Sequence, residues 1–145
     1  MTDPTQTVSV ERRYAADPAA VWDALTTPAR LARWLGTVDG DLSPGTPIDL
    51  AITGTGEQVR VVVTRCEPAE LLEAEWTVDD DTSVVRATLT PDDDGGTLVV
   101  LTETGVPTSM VEAYARGWTA HLVRLEADLT HSPMPGWAEA AGVGS

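Results

Sequence analysis

The 145-residue chain has no lysine, no asparagine and no phenylalanine, one cysteine and two histidines. The first three absences read as a GC-rich coding bias. A single cysteine, Cys66, excludes an internal disulfide, and no charged-then-apolar leader opens the chain, so a cytoplasmic protein is expected. No apolar run reaches the ~18 residues that a membrane span needs. His121, His131 and Cys66 are too few for a zinc site of Cys or His type, and the acidic run Asp92 to Asp94 lacks the spacing and terminal Glu of a calcium loop. Neither common glycine-rich phosphate loop nor a nucleophile elbow is present. No metal or cofactor is therefore expected. Positive charge is scarce as well: nine Arg against 23 Asp plus Glu leave a net charge of −14. That charge repels polyanions, so neither nucleic acid nor an anionic membrane surface is an expected partner.

A hydrophobic content of 42% in a chain of this length suits one domain with a real core. Its longest periodic stretch runs from Ser109 to Thr130, where Val111, Tyr114, Trp118, Leu122, Leu125 and Leu129 recur at spacings of three and four. Ser109 with Glu112 reads as a capping box, and the helix would span roughly 33 Å. Gly117 inside it predicts a group packed close to the backbone.

Ahead of this helix the period changes to two. Val8, Val10, Arg12 and Tyr14 share one face of a first strand over Gln6 to Ala16. Asp17-Pro18 and Thr27-Pro28 start two short helices, the second ended by Gly36. Further strands are predicted over 37–42, 48–52, 57–66, 71–78, 82–90 and 97–104. Turns recur about every ten residues, as in a meandering antiparallel sheet. The acidic triplets Asp79 to Asp81 and Asp92 to Asp94 fall in hairpin turns and read as solvated. The domain ends near residue 130, and residues 131–145, rich in Pro and Gly, read as a flexible tail in which Trp137 is a candidate for local docking.

Val21-Trp22, Thr27-Pro28, Leu31, Trp34, Gly45, Trp76, Thr97 and Gly117-Trp118 stand in an order and spacing that resembles the SRPBCC (START-like) superfamily. The similarity covers roughly Thr7 to Leu129, and its nearest branch resembles the C-terminal domain of the activator of heat shock protein 90 ATPase. The resemblance implies an α+β helix-grip fold: a seven-stranded curved antiparallel sheet around a long C-terminal helix, with a hydrophobic cavity between them. It also implies binding or carriage of a small hydrophobic or aromatic ligand, lipids included. Candidate lining residues are Trp34, Trp76, Tyr114, Trp118 and His121, with Val61, Val85 and Leu101 from the sheet; simple core packing is the other reading of each aromatic.

Buried ionisable groups need partners, which singles out Arg12, Glu103 and His121 on otherwise apolar faces. In the implied topology the first and last strands are neighbours, so pairing is open to Arg12 and Glu103, either as a structural tie or as a polar handle for a ligand. Burial of His121 would lower its pKa and a nearby carboxylate, Glu103 or Asp128, would raise it. Two alternative functions remain open. One is an enzyme on the same cavity, a polyketide cyclase/dehydratase or hydrolase-like protein with His121 or Glu103 as base and Arg12 or Tyr114 stabilising negative charge. The other is a co-chaperone of a heat shock protein 90 type ATPase. A homodimer is equally open.

Overall fold

Asp17 and Pro18 act as their types predict: the Asp17 carboxylate accepts from the Ala20 N–H at 2.8 Å and starts helix α1 (Pro18–Thr26). Pro28 then opens α2 (Pro28–Trp34) one residue later. The structure, a computed structural model, describes residues 4–140. Strand β1 (Thr5–Tyr14) precedes the two helices; β2 (Gly36–Val38), β3 (Ile48–Ile52), β4 (Gln58–Glu67), β5 (Leu71–Val78), β6 (Asp81–Pro91) and β7 (Thr97–Pro107) follow, then α3 (Val111–Thr130) and a short α4 (Trp137–Ala140). The strands form one antiparallel sheet in the order β1-β7-β6-β5-β4-β3-β2. Only the β1–β7 pair joins distant parts of the chain, and it sets Val8 opposite Glu103 and Arg12 opposite Val99.

Period-two burial holds along the concave face: Val59, Val61 and Val63 on β4, Val85, Ala87 and Leu89 on β6, Val99, Leu101 and Glu103 on β7 are all buried. Trp118, Leu122 and Leu125 of α3 face them. The buried face of α3 is wider than its apolar stripe, because Ala120, His121, Ala127 and Asp128 are buried too. The last of these has a structural reason. Asp128, 1% exposed, accepts from the Nε and a terminal nitrogen of Arg30 on one oxygen, each at 2.9 Å, and from Arg33 Nε on the other at 2.7 Å. Two guanidiniums of α2 thus hold the end of α3. From the opposite side the Tyr14 hydroxyl donates to the Leu122 carbonyl at 2.7 Å.

Two sequence expectations are corrected. β2 stops at Val38 instead of reaching residue 42: the Asp39 N–H still donates to the Asp49 carbonyl at 3.1 Å, but the Asp49 N–H goes to the Asp39 carboxylate at 2.8 Å instead of its backbone carbonyl. The capping box is not formed either. β7 continues to Pro107, Thr108 is tied to the Pro4 carbonyl through its N–H and its hydroxyl, both at 3.0 Å, and Ser109 lies within a 3₁₀ turn (Thr108–Met110). Met110, at the helix start, provides no side-chain cap.

Leu125 is fully buried where α3 meets the sheet. Leu125→Ala is expected to lower unfolding free energy by about 2 to 5 kcal/mol, measured by urea titration; a loss below about half a kcal/mol would mean that the helix is not gripped.

Candidate functional site

Packing between α3 and the sheet is close over the second half of the helix and open over the first. Val111, Tyr114 and Gly117 are only half-buried, and a cavity of about 370 Å³ opens between Tyr114, Gly117 and Trp118 of the helix and the ends of β5, β6 and β7. Behind it, under α2, lies a smaller apolar chamber of about 80 Å³. Trp76 and Trp118 border both chambers, with ring centroids 5.1 Å apart and planes tilted by 56°.

Strand register explains which polar groups reach the outer chamber. Ser83 stands opposite Trp76 on β5, and Glu103 stands opposite Val85 on β6. Glu103 Oε1 accepts from the Trp118 indole N–H at 2.7 Å, and Oε2 from the Ser83 hydroxyl at 2.5 Å. The carboxylate is 5% exposed, and no Arg lies within ion-pair distance of it among the described residues.

His121 follows Trp118 by one turn of α3, its ring edge-on to the indole at 5.5 Å. Burial pushes its pKa down to about 4, the Arg124 guanidinium adds to this, and the neighbouring Trp34 carbonyl opposes it. Desolvation therefore wins the contest that the sequence left open. Asp128 does not oppose it, being engaged by Arg30 and Arg33. Tyr114, at the chamber wall, has its pKa raised by burial first and then by the negative charges of Glu103, Glu57 and Asp81.

The candidates named from sequence divide between the two chambers. Tyr114, His121 and Glu103 line the outer one, Trp34, Val61, Val85 and Leu101 the inner one, and Trp76 and Trp118 the wall between. Trp34 also has its indole N–H on the Ala24 carbonyl at 2.9 Å, as a satisfied core residue would. Arg12 is the exception. It lines neither chamber and does not pair with Glu103, since the register leaves them four residues apart along β1, about 13 Å. Its guanidinium instead meets Glu126 of α3 at 2.9 Å.

Three further groups were not picked out as lining residues. Ser83 is one. Asp79 and Asp81 are exposed, as solvated turns should be, yet they edge the outer chamber. Trp137 is the third: the described part of the tail folds back, held by the Pro135 carbonyl on Arg124 at 2.5 Å, and its indole forms part of the outer chamber. A Cβ at Gly54 would overlap that ring, and one at Gly117 would lie 3.7 Å from it. The glycine in α3 thus has its close neighbour. Gly117 within a helix and a tryptophan in a Pro- and Gly-rich tail were the available signal. Residues 141–145 lie outside the described residues.

A curved antiparallel sheet closed around a C-terminal helix, with a cavity between them, defines a START-like helix-grip domain. Within that class the chain belongs to the family described as Activator of Hsp90 ATPase homolog 1-like protein, which matches residues 15–130. Among solved structures it is similar to DynU16, a protein of the dynemicin biosynthetic locus, with 27% identity and a TM-score of 0.80 over 88% of this chain and 48% of that one. The chain thus spans about half the length of DynU16. Protein MLL2253 from Mesorhizobium loti is 28% identical, with a TM-score of 0.79 over 89% of this chain and 100% of the other. The Aha1 dimer from Colwellia psychrerythraea shares the fold at 18% identity, with a TM-score of 0.75 over 86% of this chain and 96% of that one. No curated protein matches the chain. No helix among the described residues is long and apolar enough to cross a membrane.

The depressed His121 pKa has a measurable consequence. Unfolded, the imidazole binds a proton below about pH 6.5; folded, it does so only below about 4. The unfolded state therefore binds more protons between those values, and His121 contributes stability that is present above pH 6.5 and is lost as pH falls through the window to about 4. Imidazole resonances followed by NMR are expected to titrate near 4 for His121. A midpoint near 6.5 would show that the ring is solvated.

Proposed function

We propose that this protein binds and carries a small hydrophobic or aromatic ligand in the cavity between the sheet and α3. The observation that carries the reading is the pair of adjoining chambers sharing the Trp76–Trp118 wall: the outer volume of about 370 Å³ falls within the usual range for small-molecule sites. The inner chamber offers an almost wholly apolar end to a ligand that enters from the outer one. Similarity to a protein of a biosynthetic locus supports a small organic molecule as cargo.

Carriage is favoured over catalysis by the state of His121. A general base works best with a pKa near the working pH, and an imidazole at about 4 has little tendency to take a proton at pH 7. It is better suited to accepting a hydrogen bond. We place the protein in the cytoplasm, where its exposed Cys66 would stay reduced, and the dimer of the Colwellia relative supports a homodimer.

Nile red is expected to bind the purified protein with low-micromolar affinity and to be displaced by hydrophobic competitors. Folded protein that leaves the dye unbound would overturn carriage. Native mass spectrometry identifies any co-purified molecule, and for that ligand His121→Ala is expected to cost about 1 kcal/mol by calorimetry, the worth of one hydrogen bond. Normal binding by the variant with complete loss of turnover would make His121 a catalytic base instead.

A further inference from the structure

Opposite charges are absent where the outer chamber most needs them. Glu103 is buried with two neutral donors and no cation, an arrangement that ordinarily calls for a counter-ion. Glu57, Asp79 and Asp81 edge the same chamber, and neither Arg nor Lys is among its lining residues. The arginine that acts on His121 is engaged elsewhere: Arg124 donates to the backbone carbonyls of Trp34, Pro135 and Arg33.

A second observation is independent of the carboxylates. His121 is 6% exposed, lines the chamber, and its Nδ1 is buried without a partner. A neutral imidazole keeps a lone pair on one nitrogen, and the unpartnered Nδ1 can offer it to a donor on a ligand. The Trp137 indole N–H is also buried at the chamber without a partner among the described residues. Around these groups stand Trp76, Tyr114, Trp118 and Trp137, whose ring faces attract cations.

Resting on the carriage reading, we propose that the outer chamber selects a ligand whose apolar or aromatic body carries a protonated amine, with Glu103 as its counter-ion and His121 Nδ1 as a second acceptor. The ammonium provides a donor for the unpartnered His121 Nδ1 and the positive charge that the buried Glu103 carboxylate lacks, while the aromatic walls cover the body. A carboxylate-bearing ligand of the same shape would meet repulsion from Glu103 and lone-pair conflict at His121.

Three indole probes of similar shape test this: tryptamine (cation), tryptophol (neutral) and indole-3-propionate (anion), each titrated by calorimetry and by Nile red displacement at about 0.15 M NaCl, where distant surface charge is screened. Tryptamine is expected to bind about tenfold more tightly than tryptophol, as a charge-assisted hydrogen bond allows, and indole-3-propionate more weakly than either. Glu103→Gln, nearly isosteric, should bring the tryptamine-to-tryptophol ratio close to one. Asp93→Asn removes the same charge from the exposed β6–β7 turn and should leave the ratio unchanged. Equal affinity for the three probes, preference for the anion, or an equal fall of the ratio in both variants would overturn the proposal while Nile red binding leaves carriage standing. If Nile red and every probe fail to bind, both readings fall.

Discussion

A twenty-residue helix with one apolar face has to be covered, and this molecule is organised by where the sheet covers α3 and where it does not. Over its second half Leu122 and Leu125 are buried to 1% and 0% exposure, Asp128 is clamped by Arg30 and Arg33, and Tyr14 reaches in to the Leu122 carbonyl. Over its first half the sheet draws away, and Tyr114 and Gly117 border the cavity. The same helix is thus anchor at one end and wall at the other. Tight packing at the C-terminal end lets the other end stay open without loosening the fold, since each kcal/mol lost to an unfilled cavity must be offset elsewhere.

Buried carboxylates divide along the same line. Asp128 and Glu103 are both nearly inaccessible, yet Asp128 meets two guanidiniums and Glu103 meets an indole N–H and a hydroxyl. The first arrangement is complete in itself and belongs to the anchored half. The second satisfies hydrogen bonding without neutralising charge, and it lies in the open half. His121, between the two, is kept neutral by burial, and its Nδ1 has no partner among the described residues. Among the described residues, polar incompleteness on this helix is therefore confined to the part that faces the cavity.

Much of this was legible in the chain. Alternation of Val59, Val61 and Val63, the Pro-started helices and the three-and-four spacing from Trp118 to Leu125 depend on local geometry, so the seven strands, the first three helices, their order and the core face could be read directly, whereas the short α4 in the tail was not. Trp34, Trp76, Tyr114, Trp118 and His121 were nameable as lining residues because periodicity assigns a side chain to a face. The pairing of Arg12 with Glu103 was not: periodicity says which face a residue occupies and nothing of its height along a neighbouring strand. Register put Val8 opposite Glu103 and left Arg12 to Glu126 of α3. The unformed capping box fails for a similar reason, since the tie between Thr108 and Pro4 joins positions 104 residues apart.

What the sequence by itself determined is the set of elements, their apolar faces, the acidic balance and the family-like ensemble of Trp, Gly and Pro positions, all of which arise from contacts within about one helical turn or one strand. Tertiary structure alone decided which polar groups meet: that Asp128 would be paired and Glu103 left to neutral donors, that burial and the Arg124 guanidinium would act on His121, and that Trp137 would close over Gly54 and Gly117. Hydrogen bonding and desolvation act over a few ångströms between residues that are distant in the chain, and only folding brings those residues within that range.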